Sequence, residues 1–206
     1  VIEAVVFDAF GTLLQLGVRR HPFRQLMRQL RLQGRRPDPE DARTLMTRNL
    51  GLAGAANSFG AQISHAELAG IERDLFVELQ SIRLFDDSLE ALNKIRAAGL
   101  KIAICSNLAA PYAVPIRLLL PELDYYVFSF EVESIKPEPE IYQKTIDLLG
   151  CEASAIAMIG DTAAADMHGP IAQGMQGYLL QRNVAASGGG FRSLLEFAEY
   201  VCRFNR

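Results

Sequence analysis

The sequence predicts an α/β protein, a doubly wound parallel sheet carrying an inserted helical cap, and three observations carry that prediction. Five short runs rich in apolar and β-branched residues are spread along the chain, as expected of strands buried on both faces. Stretches with helical spacing lie between the later runs, the rhythm of a parallel sheet covered on both sides. One long segment, residues 15 to 85, is helical in pattern throughout and shows no strand signal. With 206 residues, half of them hydrophobic, the chain is long enough for a core domain and a smaller inserted one.

Taken in order, the first strand is Ile2 to Phe7, apolar or β-branched apart from Glu3. The inserted segment follows, with helices predicted near 20 to 33, 39 to 53 and 64 to 82. The next helix is "DSLEALNKIRAAG" (87 to 99), where Leu89, Leu92 and Ile95 share a face, Asp87 with Glu90 fits a capping box, and Gly99 ends the helix. Four further strands are "LKIAICS" (100 to 106), "DYYVFSF" (124 to 130), "AIAMIGD" (155 to 161) and "GYLLQ" (177 to 181). The glycine-rich "SGGGF" (187 to 191) lacks the GK[ST] ending of a phosphate loop, so it is expected to form a turn before a last helix. The predicted division is a core of residues 1–14 and 86–206, with residues 15–85 as the cap.

Charge separates the two parts. The chain holds 21 basic and 24 acidic residues, a net of −3 with histidine neutral, which implies no general attraction to nucleic acid or to a membrane surface. The cap segment alone has 11 basic and 7 acidic residues, a net of +4, and the remainder 10 basic and 17 acidic, a net of −7. A basic cap facing an acidic core points to a small anionic ligand between them. Three cysteines, Cys105, Cys151 and Cys202, lie far apart with no CxxC pair, so neither a disulfide framework nor a zinc site is expected. No apolar run approaches the ~20 residues of a membrane helix, and no basic head precedes an apolar run at the start. The expectation is a soluble, cytoplasmic protein; its oligomeric state is not readable. His21, His65 and His168 belong to no ligand or triad pattern and are expected to be structural or surface residues.

Ligands of doubly wound sheets gather at the carboxyl ends of the strands. Just past those ends stand Asp8, then Ser106 and Asn107, then Lys136, then Asp161 with Asp166. Each residue also has a plain structural use: a turn at Asp8 before Gly11, a helix cap at Ser106, Asn107 or Asp161, a solvated loop lysine at Lys136. The quartet "DAFGTLL", "ICSN", "SIKPEPEIY" and "IGDTAAAD" resembles the four ordered motifs of the haloacid dehalogenase superfamily of hydrolases. The resemblance runs from the first strand to about Gly174, and the helical insertion falls where that superfamily often carries a four-helix cap on its Rossmann-like core.

The resemblance implies that Asp8 is a nucleophile forming a covalent intermediate. It implies a magnesium ion held by Asp8, the backbone carbonyl of Phe10 and Asp161, with Asp166 supporting the metal waters or Lys136. Lys136 would neutralise substrate charge and Ser106 would hydrogen-bond a phosphoryl oxygen, while Asn107 and Thr12 are assigned to substrate binding. Phe10 departs from the phosphatases of the superfamily, which usually place a second aspartate there to protonate the leaving group; that step is worth ~10²- to 10⁴-fold. The superfamily's dehalogenases have an aromatic residue at this position in a DxYGT pattern, and a halide needs no proton. Those enzymes need no metal and typically lack the acid corresponding to Asp161, and this chain has no tryptophan and no aromatic cluster around a cap arginine.

The sequence therefore predicts a Mg2+-dependent, phosphatase-type hydrolase of a small anionic, phosphorylated substrate. The alternatives are a metal-independent 2-haloacid dehalogenase-like hydrolase and a phospho-ligand-binding protein with weakened turnover. In the cap, "RRHPFRQLMRQLRLQGRR" sets Phe23, Leu26, Met27 and Leu30 on one side and Arg24, Arg28, Arg31 and Arg35 at the same period on another. Such stripes are commonly solvated faces. The sharper expectation is that Arg24, at the stripe's near end, reaches the pocket and recruits the anionic substrate.

Overall fold

The computed structural model describes residues 1–36, 38–182 and 190–203. The central sheet has five parallel strands, β1 (Ala4–Phe7), β4 (Lys101–Ser106), β5 (Tyr125–Phe128), β6 (Ile156–Gly160) and β7 (Gln176–Leu179), in the order β5-β4-β1-β6-β7. β1 is the middle strand, in register from Ala4 opposite Lys101 and Ile156 to Phe7 opposite Ile104 and Ile159. The order reverses there, so the crevice at the strand's carboxyl end opens beside Asp8.

Every residue of β1 is fully buried. Alternate side chains enter different cores: Val5 and Phe7 join Leu92, Ile95, Ile116, Phe197 and Val201 on one face, and Ala4 and Val6 join Ile141, Tyr142 and Leu149 on the other. The first face is covered by α5 (Ser88–Ala97), α6 (Ala113–Leu119) and α10 (Leu194–Arg203), the second by α8 (Pro139–Leu149). This is the α/β architecture that the uninterrupted apolar runs predict.

Between β1 and α5 lie four cap helices, α1 (Pro22–Leu32), α2 (Glu40–Thr47), α3 (Leu52–Ser58) and α4 (His65–Gln80). They enclose a core of their own around Leu26, Leu30, Leu45, Leu52, Ile71 and Leu75. A reciprocal capping box starts α4: Ser64 Oγ accepts from the Glu67 amide while the Glu67 carboxylate accepts from the Ser64 amide.

Four local expectations are corrected. The segment is not free of strands, because β2 (Leu14–Leu16) and β3 (Ile82–Leu84) pair as an antiparallel ribbon where the chain enters and leaves the cap; three residues each are too few to show periodicity against flanking helical patterns. The helix expected over 39 to 53 is two helices, since Arg48 is extended (φ −122°, ψ 142°) and ends α2. In α5, Leu89 is exposed rather than buried: the Ser88 hydroxyl donates to the Leu13 carbonyl at 2.8 Å in the interior, which turns Ser88, Ala91, Leu92 and Ile95 inward. Asp87 makes no capping box either; its carboxylate receives both terminal nitrogens of Arg182 and the Leu194 amide.

Of the "SGGGF" turn, residues 187–189 lie outside the described residues, and Phe191 pairs with Leu180 beside the end of β7. Among the described residues no helix is long and apolar enough to cross a membrane.

Candidate active site

Asp8 follows β1 directly, Ser106 ends β4, Lys136 sits in the loop after the short helix α7 (Ser129–Val132), and Asp161 follows β6. Asp166 lies within the π-helical turn Ala163–His168, whose wider winding carries its side chain back under the sheet edge. These residues, with Phe10, Asn107 and Thr162, line one cavity of about 320 Å³.

Lys136 is the electrostatic centre. Its Nζ donates to Asp8 Oδ1 at 2.8 Å and to Asp166 Oδ1 at 2.6 Å, and the lysine and Asp166 are almost completely buried. Burial alone would lower the ammonium pKa, but the two carboxylates outweigh it and hold the group above its ordinary value. Burial, then Asp8, raises the Asp161 pKa from its ordinary value. Asp166 is also raised, chiefly by burial with Asp8 adding, although Lys136 pulls the other way.

Backbone and neighbouring side chains fix these groups. Asn107 brackets the Lys136 main chain, donating from Nδ2 to its carbonyl at 2.8 Å and accepting its amide at Oδ1 at 2.7 Å. Asn107 therefore lines the cavity with each end of its amide engaged in positioning the lysine. Asp166 Oδ2 accepts from the Thr162 amide at 2.9 Å, and the Tyr142 hydroxyl donates to the Ala165 carbonyl at 2.6 Å, pinning the turn to α8.

Two glycines make room. Gly11 has φ +87°, and a Cβ there would stand 2.0 Å from Asp161 Oδ2; a Cβ on Gly160 would meet Asp166 Cγ at 2.3 Å. Sequence reasoning missed both: Gly11 approaches a carboxylate from a loop far away in the chain, and Gly160 is crowded only because the turn after β6 folds Asp166 back onto it. It also missed the positioning role of Tyr142, for which the only signal was its place in "KPEPEIY".

Carboxylate oxygens of Asp8, Asp161 and Asp166 lie within 4.8 Å of one another. They are hard oxygen donors and so suit magnesium. Asp166 already has one oxygen on Lys136 and one on the Thr162 amide, so Asp8 and Asp161 are the better placed to hold an ion, with Asp166 behind the lysine.

The cap closes over this edge at two places. Phe10 meets the Tyr112 ring edge-on at 5.9 Å, and Tyr112 meets Phe23 of α1 at 6.4 Å. The Tyr112 hydroxyl donates to Glu78 Oε1 at 2.6 Å, and Glu78 Oε2 accepts the Arg20 and His21 amides. On the other side Arg43 of α2 makes a two-point ion pair with Glu138, at 2.8 and 3.1 Å.

Two residues assigned to substrate binding are placed elsewhere. Thr12 is fully buried: the Leu13 and Leu14 amides fold back onto the Ala9 carbonyl, tucking Thr12 inward, where its carbonyl accepts from Arg182 and its hydroxyl has no partner among the described residues. Arg24 lines a cleft between α1 and α2 on the cap, which shares no lining residue with the cavity over Asp8.

Known proteins resemble this chain in sequence and in fold. The chain is 28% identical to (S)-2-haloacid dehalogenase 4A of Burkholderia cepacia over 182 residues, covering 79% of this chain and 76% of that one. Its fold is similar to the crystal structure of an HAD phosphatase from Thermococcus onnurineus (TM-score 0.66, 23% identity, 97% and 98% of the two chains). It is also similar to L-2-haloacid dehalogenase from Xanthobacter autotrophicus with chloropropionic acid covalently bound (TM-score 0.64, 20% identity, 98% of each chain). The family model of haloacid dehalogenase-like hydrolases matches residues 2–174, a span that includes β1, the whole cap and every residue around Lys136. The chain belongs to the haloacid dehalogenase-like hydrolases.

Proposed function

We propose that the protein is a Mg2+-dependent hydrolase of small phosphorylated anions that works through a covalent aspartyl intermediate on Asp8. The observation that carries this reading is the cluster of three carboxylates, Asp8, Asp161 and Asp166, around a single ammonium. One lysine leaves that cluster negative, and Asp161 has no cation of its own among the described residues, so the donor set calls for a further positive charge. Magnesium, when bound, supplies that charge and polarises the phosphoryl oxygens.

The protein's own groups account for the remaining steps. Lys136 holds Asp8 Oδ1 in place, and the carboxylate attacks phosphorus, forming a new P–O bond as the bond to the leaving group breaks. Ser106, at the end of β4 on the cavity wall, is placed to donate to a phosphoryl oxygen. Water then attacks the aspartyl phosphate, releasing phosphate and restoring Asp8. Phe10 offers no proton to a leaving group, so acyl and aryl phosphates, whose carboxylate and phenolate leaving groups are weak bases, are the preferred substrates.

A second reading has its own support. Phe10 beside Asp8, and the similarity to a protein named (S)-2-haloacid dehalogenase, favour attack of Asp8 on C2 of a 2-haloacid, expelling halide and leaving an ester that water cleaves. The deciding experiment measures release of phosphate from p-nitrophenyl phosphate and acetyl phosphate, and of chloride from 2-chloropropionate, with magnesium and with chelator. Magnesium-dependent phosphate release, at least 10³-fold lower in Asp8→Asn, is the expected result. Chloride release that survives chelation would replace the first reading with the second.

A further inference from the structure

We propose that the cleft between α1 and α2 on the cap is a binding site for a small amphipathic anion, an oxyanion head on an apolar chain, independent of the reaction at Asp8. The cleft has a volume of about 290 Å³, near the lower end of small-molecule sites. Its floor is apolar: Phe23, Met27 and Leu30 come from one side of α1 and Leu45 from α2. Leu30 and Leu45 are buried in the cap core, whereas Phe23 and Met27 are only half-buried and leave hydrocarbon facing the cleft.

The rim is cationic in a particular way. Arg24 and Arg31, two turns apart on α1, both line the cleft and both are exposed. Neither has an ion-pair partner among the described residues, whereas Arg20, Arg35 and Arg43 of the same cap are paired with Asp74, Asp41 and Glu138. Arg35, at the same cleft, is held by both oxygens of Asp41 and lies over the Phe59 ring at 4.9 Å. The remaining acid on the lining, Asp38, accepts the Glu40 amide. Three arginines against two aspartates leave the lining with one net positive charge, concentrated on the two free guanidiniums. An arginine pair above hydrocarbon fits a carboxylate or phosphate head with its chain laid on the floor. The cleft shares no lining residue with the catalytic cavity, and Tyr112 stands between Phe23 of the one and Phe10 of the other, in ring contact with both.

The test is calorimetric titration of the full chain with hexanoate, octanoate, octyl phosphate and 1-octanol, with methyl NMR to locate the ligand. Octanoate and octyl phosphate are expected to bind and to shift the Met27 and Leu45 methyls. Octanoate should bind roughly tenfold tighter than hexanoate, as two buried methylenes require, and at least tenfold tighter than octanol. The exposed double variant Arg24→Glu with Arg31→Glu should keep its thermal midpoint and lose binding at least tenfold. A tighter fit of either head group supports the proposal and identifies the head it takes. No binding at millimolar ligand, affinity indifferent to the charge reversal, or shifts confined to Thr162, Ala164 and their neighbours around Asp8 would each overturn it.

Discussion

At Gly160 there is space for a hydrogen and nothing larger, because the Asp166 carboxyl occupies the volume a side chain would take. The obstacle is the stem of an aspartate tied at both oxygens, so it cannot swing away without breaking its bonds to Lys136 and the Thr162 amide. Gly160→Ala is therefore expected to lower stability by about 1–3 kcal/mol, read from the urea midpoint, and to depress turnover more than the neighbouring change Ala164→Gly does. The acids at the strand ends were legible in the sequence because residue type and position coincide there: a carboxylate just past a buried apolar run is uncommon without a reason. Gly160 and Gly11 were not, since neither the folding back of the Ala163–His168 turn onto Gly160 nor the approach of Gly11 to Asp161 leaves a trace in spacing. The burial of Thr12 is not readable from spacing either. Its motif position says that it is near Asp8, but the backbone turn onto Ala9 decides that it faces inward.

Among the elements, the cap helices were legible as a group and misread at their joints. Amphipathic spacing identifies α1 and α4, yet the break at Arg48 and the ribbon β2–β3 depend on tertiary contacts that override a helical pattern. The cap's separate core has a measurable corollary. Leu26 is fully buried and belongs to that core alone, so Leu26→Ala should cost about 2–5 kcal/mol within α1–α4. Hydrogen exchange is expected to accelerate throughout those four helices while the amides of β1, β4 and β6 keep their protection. Equal acceleration in the sheet would show that cap and core unfold as one unit.

For the molecule as a whole, the basic cap and acidic core meet at Arg43 and Glu138. The Arg43 guanidinium, with the Ile135 amide and Ser134 hydroxyl, holds the Glu138 carboxyl down to about 2 against the opposing effect of burial. The sign follows from proton counting: between the unfolded value of about 4.3 and about 2, the unfolded chain binds more protons than the folded one. The contribution of Glu138 is thus fully present above the unfolded value and is lost as pH falls through that window. Asp161 and Asp166, raised in the folded protein, act with the opposite sign, so the measurement has to be a difference. The gap in thermal midpoint between the wild type and Glu138→Gln should be constant from pH 7 to about 5.5 and should close toward pH 3. A gap independent of pH would show that Arg43 is not what Glu138 contributes.

The ribbon at the base of the cap has a consequence for how such a protein can change over evolutionary time. Leu16 stands opposite Ile82, so the chain leaves the core and returns to it at adjacent points, a separation that a two-residue hairpin turn could bridge. Everything between those two residues is an insertion whose ends already meet. A different helical unit could be spliced onto the same pair of strands, or the present one removed, without altering the register of the five-stranded sheet or the spacing of Asp8, Lys136 and Asp166. The sheet edge that carries Asp8 and the helical unit above it are in this sense separately heritable.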